Sequence, residues 1–379
     1  VAINPDLLIM PVYNDHNTFD IEKYNKEFLD DPALQTLNAV KEKRFFYPRE
    51  GYIYNSSQDI VFGVQEVARA VHGYEQEVNA YADGMKGYLK NNKLDGIELY
   101  VYQQKPYTSD YREESIGVHL KYWPYWLDFW YGNQKHLNEN YSDKKQLQEY
   151  YLGAVNQEEW LQIIRNNIKA ALAVNPEYLV WHVSNCNLKE IFTFDFFYND
   201  AQVIDASIEV FNAVSECIPD NVIVLFENLW WPGLRLIEPG IVDRFFCGLK
   251  KQNVGIMLDT GHLMNTNISL SNELEAVSFI CQTVENLGMY KNYIHGMHLS
   301  CSLSGSYQKH SCKAVPECCS MTEIMHHVTS IDQHLIFKES GLKSLIECIE
   351  PSYLVHELFY DNLAELSVLV QTQQKLLLK

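Results

Sequence analysis

Seven short apolar runs punctuate the chain: 96–102 (GIELYVY), 116–120 (IGVHL), 178–184 (YLVWHVS), 222–228 (VIVLFEN), 254–259 (VGIMLD), 294–300 (IHGMHLS) and 353–358 (YLVHEL). Near-continuous hydrophobicity over five to seven residues suits parallel strands covered on both faces. Longer amphipathic stretches separate most of them, at 157–174, 201–216, 239–252 and 270–287, and these predict helices. Asn221, Asn253 and Pro351 fall just before strands, where helix breakers belong.

Strands alternating with helices predict an α/β fold, a (β/α)8 TIM barrel. The missing first strand must precede residue 60, in 7–13 or 45–54, and the second is favoured. Residues 1–43 are then an N-terminal extension of a single domain, 1–379, with helix over much of 57–91. Enlarged βα loops include a Cys-containing insertion at 301–331. A doubly wound open sheet is the alternative, but no Gly-rich phosphate loop follows an early strand.

Composition narrows the class. The 379 residues are 47% hydrophobic and 21% charged, which excludes a disordered, collagen-like or coiled-coil chain. No apolar run reaches the roughly 18–20 residues of a membrane span, and residues 1–14 lack a basic segment followed by an apolar one. A soluble, cytoplasmic protein with no membrane partner is expected. With 30 Lys+Arg against 49 Asp+Glu the net charge is −19, which argues against a general basic surface for nucleic acid. It leaves room for a site where metal ions supply the positive charge. Cys186, Cys217, Cys247, Cys281 and Cys348 are scattered and read as reduced core thiols. Cys301, Cys312, Cys318 and Cys319 crowd one stretch with His310. A structural zinc is conceivable there, but paired C-x2-C knuckles are lacking, so reduced thiols in an irregular lid are preferred.

Polar residues gather at the C-terminal ends of the apolar runs, the catalytic end of a barrel. His119, His182, Glu227, Asp259, His298 and Glu357 lie there, and His262 follows Asp259 by three. One such His is an ordinary hydrogen-bonded core imidazole. Six charged or titratable groups at equivalent strand ends need a metal or one another. His, Asp and Glu without Cys suit zinc, manganese or iron, and carboxylates can bridge two ions. His295 and His298 are three apart and point to opposite faces, so His298 is assigned to the barrel and His295 to a covering helix. By the same parity Glu357 faces inward and His356 outward.

These residues carry a resemblance. LFEN, LDTGH, GMHLS and the Asp-x-His of SIDQHL (Asp332, His334) resemble motifs of the endonuclease IV branch of the xylose-isomerase-like TIM barrels (AP endonuclease family 2), over roughly residues 94–360. His119 in VHLKY, His182 in WHVSN and Glu357 resemble further ligands of that branch. The resemblance implies three metal ions, zinc in the first place and manganese or iron as alternatives. His119, His182 and Glu227 would hold one; Glu227 would bridge to a second, held also by Asp259, His298 and Glu357. His262, Asp332 and His334 would hold the third. It further implies phosphodiester hydrolysis, with Glu227 and Glu357 as catalytic carboxylates and Tyr122 on the substrate side.

The sequence departs from that branch in the loops that would meet substrate. About 34 residues separate His298 from Asp332, LIFKESGL stands where a Gly-rich stretch is expected, and an aromatic block, YWPYWLDFWY, fills 122–131. Its helical spacing reads as a small satellite core rather than a stacking platform, Tyr122 excepted. Expected partners are a phosphodiester or sugar-like small substrate, damaged DNA included. The competing readings are a divalent-metal sugar isomerase or epimerase of the same superfamily and a multinuclear iron oxygenase that modifies peptides. A non-enzymatic binding protein is disfavoured by the complete ligand set.

Overall fold

The structure, a computed structural model, describes residues 8–9, 45–46, 74–102, 104, 111–141, 143–311, 315, 321–339 and 341–378. The chain divides into two compact units, Val1–Ala80 with Asp361–Leu363, and Tyr81–Tyr360 with Ala364–Lys379. In the first unit, β1 (Leu8–Ile9) pairs in parallel with β2 (Phe45–Phe46). The two segments considered for a first barrel strand thus pair with each other, and among the described residues neither joins the larger sheet. The remainder of 45–54, and 57–73 of the expected helix, lie outside the described residues; Tyr74–Asn79 and Gly84–Asn92 are helical.

The second unit holds a sheet of seven parallel strands: β3 (Ile97–Val101), β4 (Ser115–Leu120), β5 (Tyr178–His182), β6 (Ile223–Glu227), β7 (Val254–Asp259), β8 (Ile294–His298) and β9 (Tyr353–Val355). Their spatial order is their chain order, so the sheet has none of the reversal that defines a doubly wound fold. Helices Gln157–Leu172, Asp200–Val214, Pro239–Gly248 and Glu273–Asn286 fill the connections that the amphipathic stretches predicted.

Contacts across the interior show the curl. In a flat sheet β3 and β8 would stand about 24 Å apart, five spacings of about 4.8 Å. Instead His298 Nε2 on β8 lies 3.1 Å from Glu98 Oε1 on β3. The Tyr353 ring on β9 similarly packs 4.6 Å from that of Tyr178 on β5. The seven strands therefore form a nearly closed α/β barrel.

Strand alternation divides two cores. Outward residues such as Leu179, Val224, Phe226, Ile256 and Leu258 join the helices in the main core. There Phe226 packs edge-on against Phe211 and Phe245, each ring fully buried and each stabilising the fold by about 2–3 kcal/mol. Inward, Tyr178, Val180, Leu225 and Met257 make a small plug beneath the strand ends. Two bulges adjust the phase: Ile116 is the extra residue of β4 against β3, and His295 that of β8 against β7. His295 thus sits beside β7 rather than on a covering helix, because a bulge breaks simple parity. A Cβ on Gly255 would come within 2.4 Å of its Cδ2, so glycine there makes room for the ring. His356 does face outward, accepting a hydrogen bond at Nδ1 from Gln373 of the C-terminal helix Leu363–Leu377 (3.1 Å).

Candidate metal centre at the barrel mouth

All nine residues singled out as ligands converge at the C-terminal ends of the strands. They form three groups: His119, His182 and Glu227; Glu227, Asp259, His298 and Glu357; and His262, Asp332 and His334. Within each group one potential ligand atom per residue lies within 4.8 Å of the others. Register explains the first two, since His182 pairs with Glu227 across β5–β6 and Asp259 with His298 across β7–β8. Glu227 is the hinge between them. Its Oε2 lies 3.0 Å from His119 Nε2 and 3.2 Å from His182 Nε2, while Oε1 lies 3.3 Å from the Nδ1 atoms of both His262 and His298.

Local structure sets the third group. Asp259 ends β7 and also caps helix Thr260–Asn265, accepting from His262 N at 2.5 Å, which turns His262 back toward the mouth. Asp332 follows helix Met321–Ile331 directly. His334 adopts φ 44°, a left-handed conformation that costs a non-glycine residue energy, and the Cys301–Leu335 backbone pair fixes the chain there. Its Nε2 lies 2.7 Å from Asp332 Oδ2, and His262 Nε2 lies 3.2 Å from the same oxygen.

Backbone carbonyls orient three of the five imidazoles. Nδ1–H of His119 donates to Leu120 O, of His262 to Asn228 O and of His334 to Glu357 O, at 3.1, 2.8 and 3.1 Å. A carbonyl only accepts, so Nδ1 carries a proton in each ring, and Nε2 is the nitrogen turned to the carboxylates, free to ligate once its own proton is displaced. His298 is reversed: Nε2 faces Glu98 and Nδ1 faces the cluster, 2.8 Å from Glu357 Oε2.

The donor set fits divalent cations. Six buried atoms of these residues make no well-aligned hydrogen bond: His182 Nδ1, Glu227 Oε1, Asp259 Oδ2, His298 Nδ1, Asp332 Oδ1 and Glu357 Oε2, of which His298 Nδ1 has ion-pair contact with Glu357 Oε2 and Glu227 Oε1. Buried carboxylates left this way are costly unless a cation serves them. The ionisation equilibria reflect the crowding. Burial, reinforced by Glu357, Asp332 and Glu227, pushes Asp259 up to about 8 against the pull of His262. Burial also opposes the charge on His334, yet Asp332 raises it to about 10. Against burial, His182 and His298 hold Glu227 well below the usual carboxylate range.

Several participants escaped sequence reasoning. Glu98 and Tyr100 on β3 contact His298 and Glu357. Asn228 clamps the end of β7, accepting from Asp259 N at 2.9 Å and donating to Asp259 O at 3.0 Å. Strand parity in ELY and the amide directly after Glu227 were the available signals. Tyr122 is buried with its ring 4.5 Å from that of His182 and its hydroxyl bonded to Ser184. Trp123, Tyr125, Trp126, Phe129 and Trp130 are packing residues, as expected, but they join the main core with Tyr151 and Trp160 rather than forming a satellite core. The reason is that the rings of Trp123, Trp126, Phe129 and Trp130 pack around Trp160 of the helix Gln157–Leu172. Only Leu127–Tyr131 of the block is helical. Cys186, Cys217, Cys247, Cys281 and Cys348 are free thiols, although Cys247 is exposed rather than in the core. Cys301 is buried in the main core, His310 bonds Ser306 O from an exposed position, and Cys312, Cys318 and Cys319 lie outside the described residues.

No protein-family model matches the chain, and no curated protein matches it. Its backbone is similar to barrels of known enzymes. Endonuclease IV from Thermus thermophilus is 12% identical, with 78% of this chain and 95% of that one covered at a TM-score of 0.41. A D-tagatose 3-epimerase-like protein is 12% identical, with 78% and 94% covered at 0.40. The 3-keto-D-glucoside 4-epimerase of E. coli is 11% identical, with 76% and 91% covered at 0.41. The barrel assignment rests on the strand order, register and cross-barrel contacts given above. Among the described residues no helix is long and apolar enough to cross a membrane.

Proposed function

We propose that this chain is a metal-dependent hydrolase that cleaves a phosphodiester at the barrel mouth. One observation carries the reading: three ligand groups, two of them sharing Glu227, converge with unsatisfied, buried acceptor atoms. His119, His182 and Glu227 would hold one ion, Glu227, Asp259, His298 and Glu357 a second, and His262, Asp332 and His334 a third. Divalent ions there, zinc first and manganese or iron as alternatives, would neutralise phosphate oxygens and supply Lewis acidity. Glu227 and Glu357 are the catalytic carboxylates, each directing one hydrogen-bond-free oxygen at the cluster. The carbonyls of Leu120, Asn228 and Glu357 orient the rings of His119, His262 and His334, and the Asn228 side chain fixes the backbone of Asp259. Tyr122 flanks His182 on the substrate side.

The acidic chain, at −19, disfavours long undamaged DNA, because few Lys or Arg are available to release counterions. An abasic-site oligonucleotide or a simple phosphodiester is the expected substrate. A sugar isomerase is the second reading, favoured by the sufficiency of Glu227, Asp259, His298 and Glu357 for a single ion. The assembled third group weighs against it, since His262, Asp332 and His334 would then be idle. Elemental analysis of protein purified without added metal, with assays on both substrate classes, tests the choice. About three zinc per chain and chelator-sensitive phosphodiester cleavage support the proposal. One manganese with ketose interconversion transfers the case to the isomerase, and two or three iron to the oxygenase.

A further inference from the structure

Strand β3 contributes none of the nine ligands, yet two of its side chains reach into the cluster. Glu98 and Tyr100 are two apart and share the inward face. Glu98, its side chain only 6% exposed, takes His298 Nε2 at 3.1 Å. Tyr100 donates its hydroxyl to Glu357 Oε1 at 2.8 Å and stacks on His119, ring centroids 4.7 Å apart. Each therefore occupies the atom of a ligand that faces away from the cluster. His298 Nδ1 and Glu357 Oε2, 2.8 Å apart, are left turned toward Glu227 and Asp259.

We propose that Glu98 and Tyr100 are positioning residues for the second ion alone, the one assigned to Glu227, Asp259, His298 and Glu357. The proposal rests on the metal reading of the mouth. Among the five imidazoles only His298 has a carboxylate as the partner of its outward nitrogen; His119, His262 and His334 have neutral carbonyls, and His182 Nδ1 has no hydrogen bond. A carboxylate accepting Nε2–H fixes Nδ1 as the donor atom and raises its basicity. The fold provides for this contact. Tyr178 donates its hydroxyl to Glu98 at 2.8 Å by laying its ring over Gly117, where a Cβ would come within 2.1 Å of the ring. Glycine at 117 thus lets a β5 side chain cross β4 and brace a β3 carboxylate.

The test uses full-length E98A, E98Q and Y100F beside the unaltered protein, with zinc content, zinc affinity by chelator competition, and nitrogen NMR of the histidine rings. Loss of Glu98 should weaken one ion about 10–100-fold and leave the others unchanged. E98Q, which still accepts Nε2–H without a charge, and Y100F should weaken the same ion less. His298 should show a downfield, slowly exchanging Nε2–H resonance that E98A removes, with or without metal. Unchanged affinities and an unchanged resonance in E98A overturn the proposal, as does equal weakening of every ion. A protein that takes up no zinc while E98A still removes the resonance sinks the functional reading and leaves Glu98 as the orienting partner of His298.

Discussion

The barrel holds two clusters built around buried carboxylates, and they are satisfied very differently. Asp128, in helix Leu127–Tyr131, is 1% exposed and saturated with donors. Its Oδ1 accepts from Tyr198 Oη at 2.6 Å and Asn133 Nδ2 at 2.7 Å and lies 3.1 Å from His136 Nδ1, while Oδ2 accepts from Tyr125 Oη at 2.8 Å. At the mouth, Glu227, Asp259, Asp332 and Glu357 each keep one buried oxygen without a hydrogen bond. Both clusters bear the desolvation cost of buried charge, but only the first offsets it with protein donors on both oxygens of its carboxylate; at the mouth each carboxylate has donors on one oxygen alone. Burial alone therefore does not mark a site; burial with unserved acceptors does.

The widest separation between the clusters should come from substituting Glu227. Glu227→Gln keeps the shape but replaces one oxygen with an amide that cannot ligate, in the residue shared by two groups. Losing several kcal/mol of transition-state stabilisation corresponds to on the order of 10³-fold or more in rate. Phosphodiester turnover should vanish and metal content should fall, while the folded protein remains. Retention of full metal content would remove Glu227 from the bridge.

Next in size is a pH effect confined to the mouth. Asp259 moves from an ordinary 3.8 to about 8, chiefly through burial, and His334 from 6.5 to about 10, where Asp332 overcomes burial. Both raised groups bind protons more tightly in the folded chain. Their contribution is present in full below the unfolded values and is lost as pH rises through the folded ones, so the metal-free protein should soften from about pH 4 to 8 through Asp259 and from about pH 6.5 to 10 through His334. Metal requires both groups deprotonated, so uptake at pH 7 should release protons and tighten about tenfold per pH unit for each proton displaced. Calorimetry in buffers of different ionisation enthalpy reads this directly. Metal uptake with no proton release would move the ions away from Asp259 and His334.

The comparison also separates what the sequence carried from what it hid. Strands and ligands were legible because the apolar runs end on polar residues: LFEN stops at Glu227–Asn228 and VGIMLD at Asp259. Phase within a strand was less legible. The parity of His298 survived, but the bulge at His295 was invisible, since its spacing depends on pairing with β7. Glu98 and Tyr100 sit in a run that reads as ordinary strand, and their role arises only when curling brings β3 to β8 and β9. Asp128 was hidden among the aromatic residues of the 122–131 block, its partners Tyr198 and His136 being separated from it by 70 and 8 residues.

Removing the saturated carboxylate should affect folding and spare the metals. Asp128→Ala strands two tyrosine hydroxyls and an asparagine amide in a buried site, at a cost of about 2–4 kcal/mol in urea unfolding. Zinc content should be unaltered. A parallel loss of metal would mean that the Asp128 cluster supports the mouth mechanically, and the distinction drawn between the two would collapse.

The smallest effect belongs to a single donor of that cluster. Tyr198→Phe deletes the 2.6 Å bond to Asp128 Oδ1 but keeps the ring, and Asn133 remains on the same oxygen while Tyr125 serves the other. The carboxylate is never left bare, so the loss should be near the net worth of one charge-assisted hydrogen bond, about 1–2 kcal/mol. Asn133→Ala, tested alone and together with Tyr198→Phe, sharpens the point. If donors back one another up, the double variant should cost more than the two single losses added, because it leaves Oδ1 with His136 Nδ1 alone. Simple additivity would show that the donors act independently, and saturation would then mark no difference in kind between this cluster and the mouth.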